Sequence, residues 1–490
     1  MDILVNKKVY LDKVHACWIG KNIGGTMGTP FEGKPDIQDI KGFTSPKGEP
    51  LPNDDLDLQL IWLLALEEVG PKAINENILS WYWRRYIPAI WNEYGVGQNN
   101  AAIGITPPMS GELFNEGWKM SNGAWIRSEI WACLAPGFPN IAARYAIMEA
   151  SIDHGVSDGT AAEIFTAALE SMAFVESDIK VLIEKALTYI PEDSRITKSV
   201  RLVIDEYEKG TDWKETRELV LKLNADLGFF QAPSNIAYVI IGLLYGQGDM
   251  LKSLVYAINC GDDTDCTGAT VGAVLGIIGG TESIDKELSD YIGDRIVTKS
   301  LDISAIDWRL PFTCTALTDR VSRMMPWLMV ANGNYTEYTD SKEAPCVSGH
   351  TLDCNGASHS FLKQNPLSVK SYNHWLRSTV TFEGEPRITA NGEICFELCL
   401  KNPAYTVYQL ELKVFAPEGW VAEYSRSVTL HHNTGAHDKD YVWKPLTFDS
   451  KNIKIKLTAN DNVAAANYVY IVARAIGYPM PLIIPVTILG

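Results

Sequence analysis

Two stretches of the chain concentrate oxygen-bearing side chains just ahead of helix-like runs. In CGDDTDCTGATVGAVLGIIGG, residues 260–280, Asp262, Asp263 and Asp265 crowd the mouth of a small-residue apolar segment. A helix N-terminus favours one or two acidic side chains, because its free N–H groups and macrodipole attract negative charge. Three exceed what capping needs, and they repel one another unless a cation sits among them. Hard oxygen ligands suit Mg2+, Ca2+ or Mn2+. Far upstream, LPNDDLDLQLIWLLALEE puts Asn53, Asp54 and Asp55 directly before an amphipathic run carrying Leu58, Ile61, Trp62 and Ala65. Taken singly, Asn53 reads equally well as a helix cap whose neighbouring aspartates favour the dipole. Two such mouths facing each other would supply about five or six oxygen ligands, enough for two hard cations sharing bridging carboxylates.

Other candidates lie between the clusters. Glu32, in TPFEG, follows the turn marked by Pro30, and its plain alternative is a surface carboxylate. Ser121, Asn122 and Gly123, in SNGAWIR, are small residues whose N–H groups can cradle phosphate, or can simply make a turn. His154, in SIDHG, ends a helical pattern, where a lone histidine commonly serves the C-terminal dipole.

The elements that must position these residues fall into two textures. Up to about residue 332, apolar residues recur at three- and four-residue intervals, as in NIAARYAIMEASIDH, GTAAEIFTAALESMAFV, DIKVLIEKALTYI and SNIAYVIIGLLYG. Residues 1–332 therefore read as an all-α domain. Within it Gly20, Gly24 and Gly28, and again Gly268, Gly272 and Gly276, recur every fourth position. Glycine inside a helix costs roughly 1 kcal/mol against alanine, so two such rows call for the close backbone approach of another helix. Residues 333–374 are polar and rich in turn formers, and read as a linker or irregular wrap.

From Trp375 to Gly490 the period changes to two. Ile394, Phe396, Leu398 and Leu400 share one face, as do Leu410, Leu412 and Val414, and Ile453, Ile455 and Leu457. Short strands at turn-punctuated intervals predict an antiparallel sandwich. The phrase VFAPEGW followed by alternating strands resembles the immunoglobulin-like modules appended to bacterial carbohydrate-active enzymes.

Bulk composition narrows the function classes. The length of 490 residues implies more than one core, and 46% apolar with 21% charged residues is a globular composition. A net charge of −17 argues against nucleic acid or an anionic membrane as partner, but not against a small anion met through bound cations. No run has signal-peptide or membrane-span character, and the nine cysteines lack zinc-finger spacing, so the pattern reads as cytoplasmic. Cys395 and Cys399 share a strand face and read as packed thiols. Oligomeric state is not legible.

In order and spacing these motifs resemble the ADP-ribosylglycohydrolase family, the all-α hydrolases that include the dinitrogenase reductase-activating glycohydrolase. CWIGKNIGGTMGTPFEG is similar to the family's opening helix and glutamate loop, and PNDDLDL stands where it has Thr-Asp-Asp-Thr. SNGAWIR and SIDHG fall where its phosphate and ribose contacts lie. NCGDDTDCTGATVGAVLG is similar to its Gly-Gly-Asp-Thr-Asp-Thr signature with a following Gly/Ala helix.

The resemblance implies an orthogonal helical bundle with a cleft holding two Mg2+ ions, or Mn2+. There a glycosidic bond at ribose C1 of small-molecule or protein-linked ADP-ribose would be cleaved. Carried over by position, it implies Asn53, Asp54 and Asp55 as ligands on one side and Asp263 and Asp265 on the other, with Asp262 a neighbour. Asn53 and Cys266 stand where the family has ligand threonines, and Leu56 replaces the threonine after the Asp pair. Asn53 still offers an oxygen, whereas Cys266 offers sulfur. Asp55 is expected near the attacking water and Glu32 as a gating or acid/base group. Ser121, Asn122, Gly123 and His154 are expected at the substrate. The altered threonines motivate a rival, a non-catalytic ADP-ribose-binding or structural member. The second domain motivates another, hydrolysis of a different glycoside or nucleoside.

Overall fold

A computed structural model describes residues 2–306, 309–341, 344–404, 406–431 and 449–490. The chain divides into two compact units, Met1–Gln98 with Phe114–Gln364, and Asn99–Leu113 with Asn365–Gly490.

The first unit is dominated by helices. Its opening helix, Lys7–Gly28, is capped by the Asn6 side chain, which accepts from the Val9 N–H. This helix lies against the helix Thr264–Gly279 along the two glycine rows. A Cβ on Gly20 would stand 2.1 Å from the Gly272 carbonyl oxygen, one on Gly24 1.9 Å from that of Gly268, and one on Gly28 2.2 Å from that of Thr264. The row ends with Gly276 against the carbonyl of Ala16. The backbones touch directly, which is the close approach that the spacing predicts.

The helix Asp54–Val69, expected to be amphipathic, is buried continuously from Asp55 to Leu66. A helix enclosed on all faces must satisfy its polar groups internally. Gln59 does so by donating to a carboxylate oxygen of Glu129 at 2.8 Å and accepting from the Ile130 N–H at 2.7 Å. The other periodic stretches form the helices Pro139–Ala150, Asp158–Ala173, Ile179–Leu187 and Ala232–Gly246.

The expectation of a purely α-helical first domain needs one correction. Asp2–Asn6 pairs in parallel with Tyr335–Thr339, so a two-stranded sheet stands beside the helices. The polar segment after Asn332 supplies this partner strand and further backbone bonds. The Asn6 N–H donates to the Cys346 carbonyl at 3.0 Å, and the Ser348 N–H to that of Leu4 at 2.8 Å. A short helix, Ala357–Leu362, follows, with the Ser358 hydroxyl donating to the Tyr189 carbonyl at 2.6 Å.

The second unit is β-rich. Among the described residues one antiparallel sheet runs in the order Leu482–Leu489, Ala466–Ala475, Tyr408–Phe415, Ser427–Leu430. The other runs Ser368–Tyr372, Arg377–Phe382, Glu393–Lys401, Ser450–Thr458, Val421–Glu423. Its first strand starts upstream of Trp375, within the segment read as a wrap. Phe396, Leu398, Leu400, Leu410, Leu412, Ile455 and Leu457 point inward into one apolar core, as the alternation predicts. Cys395 and Cys399 lie on the opposite face of their strand, and Cys395 is exposed, because the inward positions are taken by the alternate apolar residues. Residues 99–113, drawn from the helical half of the sequence, join this core through Ile105, Met109 and Leu113. The Thr487 hydroxyl donates to the Gly104 carbonyl at 2.8 Å. Among the described residues no helix is long and apolar enough to cross a membrane.

Candidate metal and active site

The two acidic mouths meet. Asn53 caps its helix, its side-chain oxygen accepting from the Asp55 N–H at 2.7 Å, so that Asp54 and Asp55 occupy the first turn. Across from them the Thr264 hydroxyl donates to the Gly28 carbonyl at 2.9 Å, locking the first turn of the glycine-rich helix onto the opening helix. Ligand atoms of Asp55, Asp265 and Cys266 lie within 4.8 Å of one another. Those of Glu32, Asp263 and Asp265 form a second such group. Asp265 belongs to both.

The first group is wholly buried, and its Asp55 Oδ1 and Asp265 Oδ1 atoms have no hydrogen-bond partner. Burial, reinforced by neighbouring carboxylates, pushes the carboxyls of Asp55 and Asp263 well above the ordinary range and raises Asp265 as well. Lys21 opposes this at Asp55. Buried itself, it pairs with Glu129 at 2.6 Å and donates to the Ile126 carbonyl at 2.8 Å. The Cys266 thiol sits 3.8 Å from Asp55 Oδ2, and burial raises its pKa.

A cavity of about 250 Å³ opens over the second group, lined by Glu32, Asp54, Asp263, Asp265, Cys266, Ser121, Asn122, Gly123, Phe230 and Lys299 among others. Glu32 stands at the rim. Loss of hydration on the cleft side, with Asp265 nearby, raises its carboxyl to about 7. Asp55 does not line the cavity; it lies among fully buried groups. Asp54 does, with the Tyr94 hydroxyl 3.4 Å from its Oδ2.

The four residues expected at the substrate divide. Ser121 and Gly123 line the cavity, and Gly123 has no room for a side chain, since a Cβ there would meet Glu93 at 2.1 Å. Asn122 also lines it but donates to Asp263 Oδ2 at 2.7 Å, which fixes that carboxylate. Trp125 in turn fixes Asn122 through an indole N–H bond of 3.0 Å to its side-chain oxygen. His154 is fully buried and does not line the cavity. Its Nε2 lies 3.3 Å from the Ser121 hydroxyl and its Nδ1 2.8 Å from Asp153 Oδ1. Asp153 is held by Arg127 at 2.8 Å. Asp262 accepts from the Phe230 N–H at 2.8 Å and from Asn235 at 3.3 Å, a structural role beside the site.

Sequence reasoning missed Lys299. Its ammonium lies 3.8 Å from Glu32 and 3.9 Å from Asp54. Burial disfavours its charge, but Asp54 and Glu32 prevail and raise its pKa. The buried Asp57 places it, accepting from the Lys299 and Ser300 N–H groups at 2.5 and 2.8 Å. Lys21 was missed too, although a lysine inside a glycine-striped helix is itself a signal of a buried partner.

A largely helical unit with carboxylates from separate helix mouths gathered around one shared aspartate defines a class of acidic clefts able to hold divalent cations. The chain belongs to the ADP-ribosylglycohydrolase family, whose model matches residues 6–310. That family acts on ADP-ribosylated substrates, and membership supports hydrolase activity. A solved structure described as an ADP-ribosylglycohydrolase-related protein complex aligns with 65% of this chain and 99% of its own, at 19% identity and a TM-score of 0.44. A FixG-related protein from Vibrio parahaemolyticus aligns with 24% of this chain and 98% of its own, at 11% identity and a TM-score of 0.19. No curated protein matches.

Proposed function

We propose that the cleft hydrolyses a glycosidic bond at ribose C1 of an ADP-ribosylated substrate, with two divalent cations, Mg2+ or Mn2+, held on either side of Asp265. One observation carries this reading: Asp265 is common to both ligand groups, the arrangement a bridging carboxylate requires. The unpartnered buried oxygens of Asp55 and Asp265 fit a cation, whose charge would satisfy them and relieve the repulsion among the carboxylates. Asp55, Asp265 and Cys266 would hold one ion; Asp263 and Asp265, with Glu32 and Asp54 close by, the other. Bound there, the cations would supply Lewis acidity toward the ribose hydroxyls and an attacking water.

The protein's own groups would do the rest. Glu32, at the rim with a carboxyl near 7, can hold or release a proton at neutral pH, which is what general acid–base work needs. The fully buried Asp55 suits a ligand better than a proton acceptor facing substrate. Ser121 would contact the ribose or phosphate, oriented from behind by His154. The β-rich unit reads as an immunoglobulin-like sandwich.

Lys299 and Cys266 favour a second reading, a member that binds ADP-ribose without turnover, because an ammonium and a thiol stand at the acidic cluster. Release of ADP-ribose from ADP-ribosylated arginine, serine and small-molecule compounds, with Mg2+ or Mn2+, separates the two. Turnover supports hydrolysis. Calorimetric binding of ADP-ribose without turnover supports the second reading, and if neither turnover nor binding is seen both readings fall. A parallel screen of other glycosides and nucleosides guards against a different substrate.

A further inference from the structure

The two ligand groups around Asp265 differ in chemistry. One contains the Cys266 sulfur with Asp55 and Asp265, all buried. The other contains only carboxylates and includes the exposed Glu32. Their unmet demands differ as well. On the thiol side, Asp55 Oδ1 lacks any partner, as does Oδ1 of the shared Asp265. On the carboxylate side, Asp263 already accepts from Asn122 at 2.7 Å, and Glu32 already has the Lys299 ammonium at 3.8 Å. A buried site with a sulfur donor and unsatisfied carboxylates asks for a small divalent cation that accepts mixed sulfur and oxygen ligands. Zn2+ and Co2+ do so, whereas Mg2+ takes oxygen almost exclusively.

We infer that the two positions are unlike: the Asp55–Asp265–Cys266 position takes a thiophilic divalent cation such as Zn2+ or Co2+ and fills first, while the Asp263–Asp265 position beside Glu32 takes Mg2+ or Mn2+ and fills second. This rests on the two-cation reading above. On loading, the Cys266 S–H bond is replaced by a sulfur–metal bond and the proton leaves to solvent. Asp265 then bridges to the second position, where the positive charge of Lys299 opposes a further cation.

Co2+ tests this in the full-length, metal-free protein, because a cobalt–thiolate bond absorbs in the near ultraviolet whether or not the protein turns over. The expected result is a charge-transfer band that saturates with the first equivalent of Co2+, collapses on adding Zn2+ and survives excess Mg2+. In Cys266→Ser the band disappears and Co2+ affinity falls at least about tenfold, since even outer-shell partners of a metal are worth about 10–100-fold. Cys266→Thr, close in size, gives the same loss of the band and guards against a misfolded serine variant, with circular dichroism as the check. If calorimetry records Co2+ binding but no such band forms, or the band persists in both variants, the thiol assignment is overturned while the two-cation reading stands. If no divalent cation binds at all, both fall.

Discussion

Gly24 and Gly268 face each other so closely that a Cβ on Gly24 would stand 1.9 Å from the Gly268 carbonyl oxygen and 2.7 Å from the Ala269 nitrogen. The atoms in the way are backbone, which cannot rotate aside. Gly24→Ala should therefore force the two helices apart and cost about 1–3 kcal/mol or more of stability, the range of overpacked cores. Because the same contact seats Thr264 and Asp265, divalent-cation binding should weaken with it. Gly42→Ala, where nothing lies within 4 Å, is the control and should change neither. Urea unfolding and cation calorimetry of both variants decide the matter; an undisturbed Gly24→Ala would mean that the glycine rows do not seat the site.

Lys299→Met should tighten the second divalent cation. A unit charge at about 4 Å is worth about 1 kcal/mol in water and about 4 kcal/mol near a protein surface, so removing it should improve affinity at least about fivefold. Mn2+ titration followed by electron paramagnetic resonance counts the ions bound and reads the gain. Unchanged affinity would place the ammonium outside the cation's field.

Away from the cleft, a pair of buried glutamates sets a pH dependence. Glu149 and Glu163 are both buried, and Glu149 pairs with Arg127; burial and then the neighbouring Glu149 carboxylate raise Glu163 well above the ordinary range, and burial raises Glu149 to about 7. The folded protein thus keeps a proton that the unfolded chain has released. That contribution is complete below the ordinary glutamate pKa of 4.5 and is lost as pH rises through 7 and beyond. The slope is about 1.4 kcal/mol per pH unit for each proton retained. Glu163→Gln carries the hydrogen permanently, so its stability should decline less steeply with pH by about one proton's worth. Chemical denaturation at several pH values from 5 to about 8 measures the two slopes. Parallel slopes would show that the pair holds no proton.

Residues 99–113 make the boundary between units a matter of three-dimensional membership. A protein ending at Gln364 would keep Ile105, Met109 and Leu113 but lose the strands that cover them. It should aggregate on size-exclusion chromatography. The same truncation with residues 99–113 replaced by a Gly/Ser linker should stay monodisperse and bind divalent cations. Ending instead at Asn332 should destabilise even the linker version, because Tyr335–Thr339 is the partner of Asp2–Asn6.

What the sequence made legible follows from how local each signal is. The glycine rows could be read because glycine is disfavoured in helices, so six of them at fourfold spacing required a contact. The inward faces of the strands followed from period-two alternation, since each residue's side depends only on its neighbours. The acidic mouths could be located for the same reason, their side chains being fixed by the helix that follows. Lys299 could not be found this way, because it reaches the cleft only through hydrogen bonds of its loop to Asp57, far away in the chain. Nor could the membership of Ile105 and Met109, as short apolar residues in a loop pattern do not announce which core receives them. Likewise Asn122 carried a turn-like signal, and only the fold showed its amide turned to Asp263.

The parallel pairing of Asp2–Asn6 with Tyr335–Thr339 also sets a schedule for the newborn chain. At about 5–20 residues per second, the ribosome needs on the order of tens of seconds to deliver the second strand after the first. The strands that shelter Ile105, Met109 and Leu113 emerge later still. Throughout that interval the nascent protein trails an unpaired strand and an uncovered apolar loop, so the first unit waits for Tyr335–Thr339 and the second for the strands that follow it. Its yield in a cell should then depend on chaperone supply during synthesis more than on the stability of the finished protein.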